Sequence, residues 1–174
     1  MARFAVLLRG INVGTAKRMA MADLRELLSE LGFDDVRTVL NSGNAVITGP
    51  EEEHAPRIEV ALRERFGFDV RCVVLTADAL RTIVDGHPFA DVATDGSRMM
   101  AHVLAAAPDP ARLAAHDPVA LDPDRAVLGE RVLYQWCPDG LLAAPPVGGF
   151  VEKHLGVAVT ARNWNTVTKL YALL

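Results

Sequence analysis

The chain has 174 residues and a mass of 18.8 kDa, which suits one domain or two small lobes. Apolar residues make up 51% and charged residues 23%, a composition that excludes an intrinsically disordered chain. No apolar run approaches the roughly 18 residues of a transmembrane helix, and no signal-peptide pattern opens the sequence. Its two cysteines encode neither a disulfide framework nor a zinc site. We therefore expect a soluble, cytoplasmic protein without membrane contact.

The charge is unevenly distributed along the chain. The net charge is −4, yet residues 1–22 hold four basic residues and no acid, and residues 153–174 hold three basic residues and no acid. All 22 acidic residues and the other 11 basic residues lie between these segments. The two terminal segments would form a local anion-binding surface if they meet in the fold. The alternative is that these charges lie on separate faces.

The first half of the chain predicts four strands and two helices. A near-continuous apolar run over residues 3–8 is typical of a strand covered on both faces. Leucines at helical spacing predict a helix from Met21 to Leu31 that ends at Gly32. Two β-rich runs flank the hairpin signal Asn41-Ser42-Gly43-Asn44. A helix up to residue 66 and a strand over 70–75 complete the order βαββαβ of the ferredoxin-like motif.

The second half repeats this order more loosely. Thr76 predicts the N-cap of a connecting helix, and Asp109-Pro110 predicts another helix start. Runs over 126–128 and 132–136 pair around Gly129-Glu130. We predict an α+β fold with a ferredoxin-like lobe over residues 1–76 and a connecting helix and loop over 77–97. A second, similar α+β lobe with a C-terminal helix takes up residues 98–174 of the same compact unit.

The ferredoxin-like topology places the loop after the first strand and the turn after the second strand at one end of the sheet. Gly10 and Gly14 allow close approach of a ligand, the following helix offers amide groups, and Arg9 offers a planar fork for phosphate. The glycine spacing matches neither a dinucleotide-binding motif nor a Walker loop, and any tight connection also uses glycines. The candidates are Arg9, Asn12, Gly14, Lys17, Asn41, Ser42 and Asn44.

A second polar segment precedes the last helix. In Ala161–Lys169, either Asn163 or Asn165 is expected to cap that helix. Trp164 beside Arg162 offers a flat face on which a base or a sugar could stack. The alternative is that the indole packs in the core and the asparagines only cap and turn. The candidates from this segment are Arg162, Asn163, Trp164, Asn165 and Lys169.

Other reactive side chains form no recognisable site. The five histidines have no metal-ligand spacing with each other or with the cysteines, and no cofactor motif is present. Cys72 and Cys137 lie in strand-like stretches and are expected to be buried thiols. Glu51-Glu52-Glu53 is expected at the N-terminus of the next helix, where acidic residues favour the helix dipole. The sequence therefore predicts no metal and no cofactor, and it identifies no catalytic group.

Three stretches together resemble the bacterial family known as domain of unknown function 1697. They are Leu8–Gly14, Asn41–Asn44 and Thr160–Leu170, and the resemblance covers essentially the whole chain in order. It implies a compact bacterial cytoplasmic α+β protein with a ferredoxin-like N-terminal part, and it implies no reaction. The chain departs from the family pattern at Thr15, where a glycine is common, and at Ala144–Gly148, which replaces a Ser-Lys-Leu-like polar segment.

Three functions follow as hypotheses. The first is a site for an anionic, phosphate-bearing small ligand or a short single-stranded nucleic acid, formed by the RGINVG loop, the NSGN turn and the RNWNTVTK segment. The second is a small transferase or hydrolase that uses the same cleft. The third is an interaction module that forms oligomers through sheet edges. The expected state is a monomer or a homodimer.

Overall fold

The computed structural model describes residues 1–174 and contains two four-stranded antiparallel sheets. The first sheet has the order β2-β3-β1-β4, with every neighbouring pair antiparallel. This is the ferredoxin-like arrangement that the order of elements predicts, and the prediction is confirmed. Its elements are β1 (Ala2–Leu8), α1 (Met21–Glu30), β2 (Asp34–Val39), β3 (Asn44–Gly49), α2 (Ala55–Phe66) and β4 (Cys72–Thr76).

Alternation along β1 explains how α1 and α2 pack on this sheet. Phe4, Val6 and Leu8 are buried in one cluster with Leu24 of α1 and Leu62 of α2. The intervening β1 residues are buried as well, in agreement with the continuous apolar run. The first strand is thus fixed along its length, and the loop that leaves its end starts from a rigid support.

Local signals set the ends of the helices. The residue after α2, Gly67, is left-handed, and Thr76 caps the next helix, α3 (Ala77–Asp85), by accepting from the Ala79 amide at 3.1 Å. The expectation for the acidic run 51–53 is wrong. Because α2 begins at Ala55, the three glutamates lie in the preceding loop rather than in the first turn of the helix.

The second sheet has the order β6-β7-β5-β8 and repeats the topology of the first. This confirms the predicted second α+β lobe and its C-terminal helix. Two short 3-10 helices lie at Pro118–Leu121 and Leu141–Ala143, and α5 continues into a π turn at Val151–Leu155. The elements are β5 (Met99–Leu104), α4 (Pro110–Ala115), β6 (Ala126–Leu128), β7 (Val132–Trp136), α5 (Val147–Phe150), β8 (Val159–Asn163) and α6 (Trp164–Tyr171).

The backbone contacts divide the chain into two compact units. The first unit contains Met1–Arg81 and Lys169–Leu174, and the second contains Thr82–Thr168. These limits differ from the predicted boundaries at residues 76 and 98 in two ways. The connecting helix α3 is divided between the two units, and the last six residues belong to the first unit. None of the helices is long and apolar enough to cross a membrane.

Candidate functional site

The segment Arg9–Arg18, which we call the basic loop, connects β1 to α1 in the first unit. All of its residues except Ile11 and Asn12 are exposed, and Val13 and Ala16 form an isolated antiparallel bridge at its tip. Asn12 and Lys17 have left-handed backbones, with φ of 54° and 49°. Residues other than glycine rarely adopt this backbone conformation, and asparagine is among those that tolerate it best. The loop therefore has a defined shape rather than an open, extended one.

The side chain of Asn12 holds this shape and joins the basic loop to the NSGN turn. Its Nδ2 donates to the Met19 carbonyl at 2.8 Å and to the Asn41 carbonyl at 2.7 Å, while its Oδ1 accepts from the Met19 amide at 2.8 Å. The prediction that these two segments meet at one end of the sheet is thus confirmed. All three hydrogen bonds of the Asn12 side chain are to backbone groups, so its role is to hold the basic loop and the turn in place.

The NSGN turn packs against the end of β1. The Leu8 amide donates to the Gly43 carbonyl at 2.7 Å. Gly43 has φ of 86°, and a Cβ there would lie 2.7 Å from the Leu8 Cβ, so a side chain does not fit. Asn44 is fully buried and donates to the Val39 carbonyl and to Ser42 Oγ, both at 2.9 Å. The Asn41 side chain is exposed, whereas Asn44 stabilises the turn from within.

Two cations of the basic loop keep their charge. Lys17 Nζ donates to the Asp69 carbonyl at 2.7 Å, and the Arg18 guanidinium donates to the Gly14 carbonyl at 3.1 Å. Carbonyl oxygens are neutral acceptors, so both side chains are held in place without being neutralised. Arg9, at the start of the loop, is exposed as well. The loop contains no acidic residue, and the result is a positive surface of fixed shape.

Arg71 is a neighbour that the sequence analysis missed. Its carbonyl accepts from the Arg9 amide at 2.9 Å, and its exposed guanidinium lies 3.5 Å from Glu59. The signal was present in the predicted topology, because the last strand of a ferredoxin-like sheet lies beside the first. Residues just before β4 are therefore expected next to the end of β1, where the charge of Arg71 is paired with that of Glu59.

In the second unit, Arg162 and Asn163 have structural partners. Arg162 is 9% exposed, donates to the Ala161 carbonyl at 2.9 Å, and burial lowers the pKa of its guanidinium to about 10. Asn163 Oδ1 accepts from the Thr166 amide at 3.0 Å and from Thr166 Oγ1 at 3.1 Å. Of the two asparagines proposed as caps, Asn163 is the one that caps α6.

The half-buried Trp164 contacts a ring from the loop after α3. The centroid of the His87 ring lies 4.3 Å from that of the indole, at an interplanar angle of 44°, and burial lowers the pKa of His87. The Trp164 amide donates to the Gly96 carbonyl at 3.0 Å. The indole is therefore already in contact with the His87 ring and is not a freely exposed surface ring. A role of Trp164 in stacking a base stays a prediction.

The two remaining candidates of this segment are exposed. Asn165 Oδ1 lies where a Cβ at Gly96 would approach to 2.3 Å, so the loop around Gly96 passes close over the start of α6. Lys169 lies in the last turn of α6, where a positive charge favours the helix dipole. A role for these two residues in ligand binding also stays a prediction.

The second unit also contains a buried polar chain that the sequence did not reveal. Gln135 Nε2 donates to Asp122 Oδ2 at 3.1 Å and to the Pro145 carbonyl at 3.0 Å. Gln135 Oε1 lies 3.0 Å from His102 Nε2, so His102 is the donor of that hydrogen bond. Burial lowers the pKa of His102 against the effect of this bond. This series of hydrogen bonds fixes the Pro145 segment to the sheet. Separately, no group of three or more His, Cys, Asp or Glu side chains is arranged to hold a metal ion.

Comparisons with known proteins agree with this architecture. A comparison with curated proteins gives no significant match. The conserved bacterial protein SP0830 from Streptococcus pneumoniae is similar in structure, with a TM-score of 0.72 at 23% identity over 99% of this chain and 98% of that one. This likeness shows the fold. The sequence profile of the family described as protein of unknown function (DUF1697) matches residues 1–134, well over half of the chain. The chain therefore belongs to the DUF1697 family.

Proposed function

We propose that this protein binds a phosphate-bearing ligand at the basic loop. The ligand is a phosphorylated metabolite, a nucleotide or a short single-stranded nucleic acid, which share the phosphate group. The observation that carries the proposal is that Lys17 and Arg18 bond to neutral carbonyls and keep their positive charge on an exposed surface. Cations of this kind supply most of the attraction for phosphate groups.

The fixed shape of the loop supports the same proposal. A loop that is ordered before binding loses little conformational entropy when the ligand arrives, so more of the interaction energy appears as affinity. Asn12 supplies this order through its three hydrogen bonds. The exposed side chain of Asn41 in the adjoining turn offers a neutral donor and acceptor for a sugar or a base.

Thermal unfolding in the presence of phosphate compounds tests the proposal. The probes are adenosine triphosphate, glucose 6-phosphate and a single-stranded decathymidylate, each compared with inorganic sulfate at the same ionic strength. Binding to the folded state stabilises it by about 2.7 kcal/mol when the ligand is at a hundredfold excess over its dissociation constant. The identity of the probe that raises the melting temperature tells whether the ligand is a sugar phosphate, a nucleotide or a single-stranded nucleic acid.

A matched pair of variants locates the site. K17Q/R18Q removes two charges from the basic loop, and R25Q/R37Q removes two exposed charges from α1 and β2. The stabilisation should be lost in the first variant and kept in the second. Equal loss in both would mean non-specific attraction and would overturn the proposal, as would the absence of stabilisation by every probe.

A further inference from the structure

A cavity of about 320 Å³ lies in the first unit between one face of α2 and the segment that leads into β4. Pro56, Val60 and Arg63 recur at helical spacing along α2, so they share one face of the helix. Residues 69–71 form the opposite wall. The position of the cavity is therefore set by the packing of α2 beside the end of the sheet.

This cavity adjoins the basic loop. Lys17 Nζ donates to the carbonyl of Asp69, a lining residue, at 2.7 Å. The Arg9 amide donates to the carbonyl of Arg71, another lining residue, at 2.9 Å. A phosphate group on the Lys17 ammonium would therefore lie at the edge of the cavity, and the rest of the ligand can extend into it.

The charges that line the cavity are paired, in contrast to those of the basic loop. The Arg63 guanidinium donates to the Asp69 carboxylate, and the Arg71 guanidinium lies 3.5 Å from the Glu59 carboxylate. Glu59 also accepts from the Cys72 amide at 2.9 Å. Each guanidinium group thus has an acidic partner that offsets its charge, and the cavity suits an uncharged part of a ligand.

The surface that these ion pairs leave available is apolar or planar. Val60 is 56% exposed on α2, and the buried Val70 lines the other side. Guanidinium groups bond to carboxylates through N–H groups in their own plane, so their faces stay available for stacking on an aromatic ring. A sugar needs several hydrogen-bonding groups, whereas both carboxylates of the cavity are already engaged by guanidinium groups.

We infer that the phosphate-bearing ligand is a nucleotide and that its base occupies this cavity. The inference rests on the proposed function of the basic loop and names the class of its ligand. The base stacks on the guanidinium group of Arg63 and packs against Val60, which are neighbours on α2, while the phosphate bonds to Lys17. In a nucleotide one ribose separates the base from the phosphate, and the contact between Lys17 and Asp69 brings the two binding regions close together.

Titration calorimetry with adenosine 5′-monophosphate and ribose 5-phosphate tests this assignment, because the base is present in the first probe and missing from the second. The nucleotide should bind about tenfold more tightly, as expected for the stacking of one base. Equal affinities would overturn the inference and leave phosphate binding at the basic loop intact. The absence of nucleotide binding would overturn it as well, whichever other phosphate compound the loop binds.

Two arginines of α2 supply a matched pair of variants. R63A removes a guanidinium group that lines the cavity, and R65A removes one that lies 3.7 Å from Glu26 of α1, outside the lining. The ratio of nucleotide affinity to ribose 5-phosphate affinity should fall about fivefold in R63A and stay unchanged in R65A. A change in charge acts on the phosphate of both probes and leaves this ratio constant. The same ratio in all three proteins would therefore contradict the position of the base.

Methyl NMR provides a readout independent of affinity, because an aromatic ring shifts the resonances of methyl groups that lie over its face. The Val60 methyl resonances should move when adenosine 5′-monophosphate is added and stay in place with ribose 5-phosphate. Those of Val127, which is exposed on β6 of the second unit, should move with neither. Nucleotide binding that leaves Val60 unchanged would place the base elsewhere and overturn the inference, while the proposed function of the basic loop would stand.

Discussion

Replacing Asn12 with alanine removes the side chain that joins the basic loop to the NSGN turn. Three hydrogen bonds are lost, at 2.8, 2.7 and 2.8 Å. At about 1 kcal/mol for each bond, the free energy of unfolding should fall by about 3 kcal/mol. In a protein of this length that corresponds to a melting temperature lower by about 6–12 °C.

Asn41→Ala is the matched control for this change. The contact from Asn12 uses the Asn41 carbonyl, which the substitution leaves in place, and the Asn41 side chain is exposed. N41A should therefore change stability by less than about 0.5 kcal/mol. Urea unfolding followed by circular dichroism measures both variants. Equal destabilisation by N12A and N41A would refute the role assigned to the Asn12 side chain.

The other predictions concern a glycine, a buried amide and the thiols. Gly43→Ala should destabilise by about 3 kcal/mol, because it combines a left-handed backbone with a 2.7 Å clash. Gly67→Ala, left-handed with nothing within 4 Å, should cost about 1 kcal/mol in the same urea assay, and equal losses would contradict the close packing. Gln135→Leu should cost about 3 kcal/mol through the buried partners it leaves unpaired, and a neutral result would disprove the polar chain. Burial raises the pKa of Cys72 to about 12 and of Cys137 to about 11, so both should resist iodoacetamide at pH 8 until the protein unfolds; rapid labelling of the native protein would contradict this.

The fold was predictable because its signals are local and repeated. The apolar run of β1, the helical leucines before Gly32 and the turn at 41–44 each correspond to an element of the first unit. Asp109 caps α4 through two backbone amides, as the Asp-Pro pair indicates. These features are determined by residues that are close together in the sequence, so they can be predicted from it directly.

The roles of single polar residues were less predictable because they depend on distant neighbours. The sequence offered Asn44 as a possible ligand contact, yet its amide faces Val39 and Ser42 inside the turn. Trp164 was recognisable as an unusual residue, but the packing of His87 on it joins positions 77 residues apart. Local periodicity contains no information about such contacts.

The same limit applies to His54. In the sequence it follows three glutamates and gives no sign of its surroundings. In the fold its ring packs at right angles to Phe4 and Phe33, with centroid distances of 4.8 Å to each, which removes it from water and leaves Nδ1 without a partner. Burial of a polar atom is a property of the packed chain, and it becomes visible only when distant aromatic residues are brought together.

The most direct test of the account is the affinity of the basic loop for phosphate groups as a function of salt. Calorimetric titrations with adenosine triphosphate and with single-stranded decathymidylate, each at 50 and 200 mM KCl, should use the wild-type protein, K17Q/R18Q and R25Q/R37Q. We expect at least one probe to bind and its affinity to fall as the salt concentration rises. For decathymidylate the logarithmic salt slope should be smaller by about 1.4 in K17Q/R18Q, about 0.7 for each lost phosphate contact. The same slope in all three proteins, or no binding by either probe, would contradict this expectation.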